Sequence, residues 1–125
     1  MGLYIIVGLI ILGGLIYFLK VAQTKGANYN NMTITELKEQ MNDQTVLIDV
    51  RTPKEISQGV IGKPLEIQLG PGIKAKLAGL DREKKYVVYC RSGRRSAAAS
   101  QIMAGMGFTD VYNLEGGYLA WQNEN

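Results

Sequence analysis

A strand-like segment, a glycine-containing loop and a helix-like segment follow one another around the only cysteine of the chain. The segment at residues 86–89 is YVVY, the loop at 90–96 is CRSGRRS, and residues 97–107 read AAASQIMAGMG. A loop that leads from a buried strand into a helix directs several backbone N–H groups towards one point, and the helix dipole adds partial positive charge there. Both effects favour a thiolate over a thiol, so the arrangement predicts a reactive cysteine in an anion-binding loop.

Cys90 is therefore the candidate nucleophile. The ordinary role of a free cysteine is that of a small buried apolar side chain, but the arginines at positions 91, 94 and 95 are poor neighbours for a core residue. Gly93 is expected to adopt a positive φ, which lets the loop amides turn inward. The pattern thus favours a functional site over a packing role.

Short apolar segments alternate with helical ones along the chain. Strands are predicted at residues 45–50, 65–69, 86–90 and 110–114, and helices at 33–42, 53–58, 72–79, 96–106 and 117–122. The first of these helices opens with Thr33 and Glu36 in a capping box. The alternation predicts one α/β domain in which helices cover both faces of a central parallel sheet. In such sheets the site lies at the carboxyl ends of the strands, where Cys90 falls.

Three segments together resemble the rhodanese family of cysteine-dependent sulfurtransferases. The loop reads CRSGRR, the upstream stretch at 49–69 reads DVRTPKEISQGVIGKPLEIQL, and the closing stretch at 114–121 reads LEGGYLAW. The resemblance covers residues 28–123. It implies a rhodanese-like fold and a two-step reaction, in which Cys90 takes a sulfane sulfur from a donor such as thiosulfate and holds it as a persulfide. A thiophilic acceptor, cyanide in vitro or a cellular thiol in vivo, then takes that sulfur.

The resemblance and the side-chain chemistry assign roles to the rest of the loop. The backbone amides of Arg91, Ser92, Gly93, Arg94 and Arg95 are expected to stabilise the terminal persulfide anion. The guanidinium groups of Arg91 and Arg94 are expected to bind the anionic donor, because guanidinium donors match the geometry of oxyanions. Arg95 is expected to turn inward and form an ion pair.

Further residues are predicted to support the loop. Strand alternation puts Asp49 and Arg51 on the same side, with Val50 on the opposite side. Arg51 is expected to pair with Glu55, and Asp49 to orient the active loop. Ser96 is expected to serve as the N-cap of the following helix.

The composition and the loop length disfavour other chemistries. The chain has no histidine, which excludes a cysteine–histidine or serine–histidine mechanism, and one cysteine cannot build a zinc site, so neither a metal nor a cofactor is predicted. Val60 stands where the family usually carries a histidine, a change that we interpret as tuning of the activity. The loop of six residues from Cys90 to Arg95 favours a sulfurtransferase. The related cysteine phosphatases use one residue more and tend to carry histidine where this chain has Tyr89.

Two hypotheses from different classes follow. The first is a sulfurtransferase whose partners are a small anionic sulfur donor and a thiol or protein sulfur acceptor. The alternative is a binding or redox-sensing module on the same fold, which would use the loop to dock a partner or register oxidants. The net charge of +3 falls to +1 without Lys20 and Lys25, which gives no support for nucleic-acid binding.

The N-terminal stretch is predicted to cross a membrane once. Residues 2–19 carry no charged side chain, and about 18 helical residues at 1.5 Å each approach the ~30 Å hydrocarbon core of a bilayer. A cleaved signal peptide fits less well, because no basic side chain precedes the apolar stretch. Lys20 and Lys25 follow the span, so the positive-inside rule places the C-terminal domain in the cytoplasm, tethered to the cell membrane. The predicted organisation is a transmembrane anchor at 1–22, a linker at 23–31 and a rhodanese-like domain at 28–125.

Overall fold

The strands form one parallel sheet whose spatial order differs from their order along the chain. The computed structural model describes residues 11–15 and 28–124. Within the second range the strands are β1 (Asn30–Met32), β2 (Thr45–Asp49), β3 (Leu65–Glu66), β4 (Lys85–Tyr89) and β5 (Asp110–Leu114). They pair in parallel in the order β1-β5-β4-β2-β3. Because β4 is the central strand, Cys90 leaves the carboxyl edge of the sheet between two neighbouring strands.

Helices connect these strands, and their first residues explain where several of them begin. In residues 28–124 they are α1 (Ile34–Gln40), α2 (Pro53–Ile56), α3 (Ile73–Leu77), α4 (Arg94–Gly105) and α5 (Gly117–Asn123). The Thr33 hydroxyl oxygen accepts a hydrogen bond of 3.1 Å from the Glu36 amide at the start of α1. A full capping box of Thr52 and Glu55 opens α2, with Pro53 in its first turn.

Two hydrophobic layers cover the sheet, because successive side chains of each strand point to opposite faces. In β4, Val87 and Tyr89 pack into the layer that includes α1 and α5. Val88 and Cys90 pack into the other layer, which includes α3 and α4. The predicted α/β architecture, with a parallel sheet between two layers of helices, is confirmed. It also accounts for the nearly continuous apolar runs of the central strands.

The edge strand β1 was not predicted. Asn30 pairs with Tyr112 and Met32 with Leu114, so residues 30 and 31, which lie in the predicted linker as well as in the predicted domain, form part of the sheet. Both asparagines are exposed, and only Met32 of this strand is buried. Asparagine has little intrinsic preference for strands, so the pairing with β5 and the burial of Met32 hold this segment in place.

The predicted membrane span falls almost wholly outside the described residues. Residues 11–15 are helical and exposed, whereas the rest of the 2–19 stretch, Lys20 and Lys25 lie outside the ranges that the structure describes. Within those ranges, no helix has the length and apolar character needed to cross a membrane.

Candidate active site

Cys90 lies at the carboxyl end of β4, at the bottom of the loop that enters α4. Its residue is buried, with 1% of its surface exposed. Gly93, the residue before the helix, has a φ of 104°, which is the left-handed conformation predicted for it and which favours glycine. This conformation turns the Gly93 amide back towards the cysteine, to which it donates a hydrogen bond of 3.1 Å.

Several hydrogen-bond donors converge on the Cys90 sulfur and favour its ionised form. Burial raises the pKa of the Cys90 thiol, but hydrogen bonds from the Ser96 hydroxyl and from the amides of Ser96, Gly93 and Ser92 outweigh burial, so the pKa is lowered. The Ser96 oxygen lies 3.4 Å from Sγ. The loop therefore favours a thiolate, as its sequence pattern predicts.

The structure corrects the role of Ser96. The predicted N-cap role is wrong, because α4 begins two residues earlier, at Arg94, with Gly93 as its N-cap. Ser96 is instead fully buried inside the first turn. Its hydroxyl lies 2.6 Å from the Asn113 side-chain oxygen as well as near the Cys90 sulfur, so it belongs to the site.

Asn113 is a site residue that the sequence analysis missed. It lies on β5 and is nearly buried, with 6% of its surface exposed. Its Nδ2 lies 3.2 Å from the carbonyl oxygen of Gly93 and 3.4 Å from the side-chain oxygen of Asn31. The available signal was a polar residue at a buried position of a predicted strand, since such a group requires partners.

The arginines of the loop take different positions. Arg91 and Arg94 are exposed, and within the described part of the chain neither forms an ion pair. Arg95 turns back towards α2, where its two terminal nitrogens lie 2.7 and 2.8 Å from the two carboxylate oxygens of Glu55. This is the inward ion pair expected for Arg95, in the bidentate geometry that arginine and carboxylate prefer.

Arg51 does not pair with the Glu55 carboxylate, and that prediction is wrong. The partner of Arg51 is Asp49, two residues away on the same side of the strand, at 2.7 Å. Both residues are buried. Arg51 also donates to the carbonyl oxygen of Gly59 at 2.6 Å, and its guanidinium lies 4.2 Å from the centre of the Tyr118 ring. The Glu55 carboxylate is instead paired with Arg95.

Asp49 is connected to the loop through other residues. It holds Arg51, which stacks on Tyr118, and the Tyr118 amide donates a hydrogen bond of 2.8 Å to the carbonyl oxygen of Cys90. The next amide, that of Leu119, donates to the Arg91 carbonyl oxygen at 3.1 Å. The start of α5 thus clamps the backbone on both sides of the Cys90–Arg91 peptide bond.

A cleft opens beside this clamp, between α2 and α5. It has a volume of about 210 Å³ and is lined by the side chains of Arg51, Glu55, Gln58, Arg91, Tyr118, Leu119 and Gln122. Since Arg51 is paired with Asp49 and Glu55 with Arg95, Arg91 is the lining cation whose charge is left for a bound anion.

Tyr89, the residue before the cysteine, points away from it. Its side chain lies on the opposite face of the sheet, where its hydroxyl oxygen accepts a hydrogen bond of 3.0 Å from the Ile61 amide. Burial raises the pKa of Tyr89, so the phenol stays neutral. Tyr89 therefore anchors the segment that follows Val60.

Arg95→Ala should lower stability in a pH-dependent way. The pKa of Glu55 is lowered to about 2, chiefly by the hydrogen bonds from Arg95 and further by those from Thr52. A carboxylate whose pKa is lower in the folded state stabilises the fold above its unfolded pKa and loses that contribution as the pH falls through its folded pKa. Because both side chains are partly exposed, the pair is worth at most ~1 kcal/mol, or a few degrees in Tm.

Thermal melts across pH test this prediction. The Tm difference between the native chain and R95A should be full at pH 7 and should shrink between about pH 5 and pH 2. Arg94→Ala is the matched control, because it removes the neighbouring exposed arginine and should leave Tm unchanged. Equal losses in both variants would contradict the assigned role of the Arg95–Glu55 pair.

Comparison with known proteins agrees with this geometry. The model of the rhodanese-like domain family matches residues 33–124. YtwF of Bacillus subtilis, named as a candidate sulfurtransferase, is 40% identical over 90 residues, which are 70% of this chain and 85% of that protein. The thiosulfate sulfurtransferase GlpE of Pseudomonas syringae is 32% identical over 77 residues, 62% of this chain and 72% of GlpE.

Solved structures share the fold. A rhodanese-like domain protein from Staphylococcus aureus superposes with a TM-score of 0.67 at 30% identity, over 74% of this chain and 90% of that one. The names of the sequence relatives support sulfur transfer as the family activity. With a family match that spans strands β2 to β5, the cysteine loop and α5, this chain belongs to the rhodanese-like domain family.

Proposed function

We propose that this protein is a sulfurtransferase that moves a sulfane sulfur from a thiosulfate-type donor to a thiol acceptor through a persulfide on Cys90. The observation that carries the proposal is the convergence of the Gly93 amide and the Ser96 hydroxyl on a buried sulfur whose pKa is lowered. Such a loop stabilises a sulfur anion at one point. It offers no group that would act as a general base on water.

The first half-reaction is a displacement at sulfur. The Cys90 thiolate attacks the outer sulfur of thiosulfate, the S–S bond of the donor breaks, and sulfite leaves with its electron pair. The enzyme then carries Cys90–S–S⁻. In the second half-reaction an acceptor thiolate attacks the outer sulfur, the persulfide bond breaks, and the Cys90 thiolate leaves. Both steps follow the rules of thiol–disulfide exchange, in which a leaving group of lower pKa leaves faster.

Arg91 and Arg94 are proposed to bind the donor anion. Both guanidinium groups are exposed beside the loop and have no ion pair in the described part of the chain. Arg91→Ala or Arg94→Ala should lower kcat/KM for thiosulfate roughly ten- to a hundredfold, since a charge-assisted contact is worth ~1.5–3 kcal/mol. Lys84→Ala, which removes an exposed charge at the opposite edge of the sheet, is the control. Unchanged kinetics in both arginine variants would show that the amides alone bind the donor.

Mass spectrometry tests the central step. The native protein incubated with thiosulfate should gain one sulfur atom on Cys90, and a thiol acceptor should remove it. Uptake of no sulfur together with hydrolysis of aryl phosphates would instead indicate a phosphatase. If neither reaction occurred and Cys90 resisted alkylation at neutral pH, the binding-module hypothesis would replace the proposal.

The protein is further proposed to act at the cell membrane, with residues 2–19 crossing the bilayer once and the domain in the cytoplasm. The uncharged stretch and the two lysines that follow it support this placement. A reporter fused after Asn125 should behave as cytoplasmic, and protease added outside intact cells should leave the domain whole. Digestion of the domain under those conditions would reverse the orientation.

A further inference from the structure

The Ser96 hydroxyl lies between two groups that can each accept its single proton. The Asn113 side-chain oxygen is 2.6 Å away and the Cys90 sulfur is 3.4 Å away. A serine hydroxyl has one proton to donate and two lone pairs to accept with. Ser96 therefore cannot donate to Asn113 and to a Cys90 thiolate at the same time.

The surroundings of Asn113 decide which acceptor holds the proton when Cys90 is a thiol. The Nδ2 group faces the Gly93 carbonyl oxygen and the Asn31 side-chain oxygen. The Gly93 carbonyl can only accept, which orients the amide with its nitrogen towards Gly93 and its oxygen towards Ser96. The contact of 2.6 Å is then a bond donated by Ser96. With its proton donated to Asn113, the Ser96 oxygen keeps lone pairs that can accept the proton of the Cys90 thiol.

We propose that Asn113 is a positioning residue for the sulfur-transfer site, which holds the Ser96 proton away from Cys90 until a thiolate forms. This inference rests on the proposed function and deepens it. When Cys90 ionises, the negative sulfur becomes the stronger acceptor, and the Ser96 hydroxyl turns from Asn113 to Sγ. The Asn113 oxygen, which is nearly buried, then loses its donor, so each ionisation of Cys90 costs one hydrogen bond elsewhere.

During the reaction, the hydrogen bond of the Ser96 hydroxyl therefore changes partner with the charge on Sγ. In the persulfide the inner sulfur is uncharged, and the Ser96 proton returns to Asn113. When an acceptor thiolate attacks the outer sulfur, the S–S bond breaks and negative charge returns to Sγ. The Ser96 hydroxyl then turns back to stabilise the leaving thiolate. Asn113 also holds the Gly93 carbonyl, and through it the amide that donates to the same sulfur.

A double-mutant cycle on Ser96 and Asn113 tests the proposal. The measured quantity is the rate of iodoacetamide alkylation against pH for the full-length chain in detergent, which reports Cys90 alone because the chain has one cysteine. The variants are S96A, N113L and S96A/N113L. Arg95, a charged side chain that interacts with Cys90 and is paired with Glu55, is left unchanged in every variant.

We expect S96A to raise the pKa of Cys90 more in the N113L background than in the otherwise native chain. S96A should raise the pKa of Cys90 by less than one unit in the otherwise native chain, because the Ser96 hydroxyl gives up its hydrogen bond to Asn113 when it turns to stabilise the thiolate. In the N113L background the hydroxyl is free, and S96A should raise the pKa by about one unit, a tenfold change in thiolate fraction. Any loosening of Gly93 by N113L is present in both N113L and S96A/N113L, so it cancels when those two variants are compared.

Equal shifts of the Cys90 pKa by S96A in the native and N113L backgrounds would overturn the proposal. That result is expected if Asn113 has only a structural role and does not compete for the Ser96 proton. If N113L does not fold, N113A replaces it in the double-mutant cycle. S96A alone is also decisive, since a rise of a full unit in the otherwise native chain would show that Ser96 donates freely to the thiolate. Alkylation requires no sulfur donor, so absence of sulfur transfer would refute the proposed function and leave this result standing.

Discussion

Cys90→Ser should abolish thiocyanate formation from thiosulfate and cyanide. A serine hydroxyl lacks the acidity to ionise in this loop and lacks the polarisable sulfur that carries a persulfide. Since no second cysteine exists in the chain, no other thiol of the protein can take over. The expected loss is to the background rate, measured as thiocyanate formed per minute.

Ser100→Ala is the matched control for that variant. Ser100 lies one helical turn beyond Ser96 and is equally buried, but its hydroxyl makes no hydrogen bond within the described residues. Removing one oxygen there should leave the rate of sulfur transfer unchanged. Retention of activity by C90S would show that sulfur transfer does not pass through this loop, and would end the proposed mechanism.

Gly117→Ala should disrupt the site and destabilise the domain, although residue 117 carries no reactive group. Gly117 has a φ of 56°, and an added Cβ would lie 2.7 Å from the carbonyl oxygen of Arg91 and closer still to that of Cys90. Those carbonyls accept the hydrogen bonds by which α5 clamps the loop. The left-handed conformation costs ~1–3 kcal/mol for alanine, and overpacking adds ~1–3 kcal/mol.

The expected outcome is a Tm lower by roughly 10 °C or more and a large loss of kcat/KM, since displacement of a reacting group by about 1 Å can cost a hundredfold in rate. Gly105→Ala is the control, because a Cβ there meets no atom within 4 Å and φ is not positive. Calorimetry and thiocyanate formation measure the two effects. A stable and fully active G117A variant would contradict the clamp between α5 and the loop.

The local chemistry of the site could be predicted from the order of residues alone. The apolar run before Cys90, the glycine three residues later and the following helix specify a strand–loop–helix unit, because each is a preference of a short segment. The same reasoning placed Arg95 inward and put Asp49 and Arg51 on one side of β2. The predicted strands lie where the structure has them, although the 65–69 segment shortens to Leu65–Glu66.

Only the tertiary structure decided which partner each polar group takes. Glu55 lay within reach of Arg51 along the sequence, but the fold brings Arg95 to it from 40 residues away, and Arg51 is left with Asp49. Ser96 qualified as a helix cap on residue type alone, yet the left-handed Gly93 starts α4 earlier and turns the hydroxyl into the core.

The hydrogen-bond partners of Asn113 and the strand at Asn30–Met32 could not be read from the sequence for the same reason. Their hydrogen bonds join residues that are distant along the chain, such as Asn113 with Gly93 and with Asn31. Backbone preferences and motif spacing act over a few residues, and so they determined the nucleophile and the elements around it. A buried polar group takes whichever partner the packed sheet and helices bring within hydrogen-bond distance, and that depends on how the whole chain is packed.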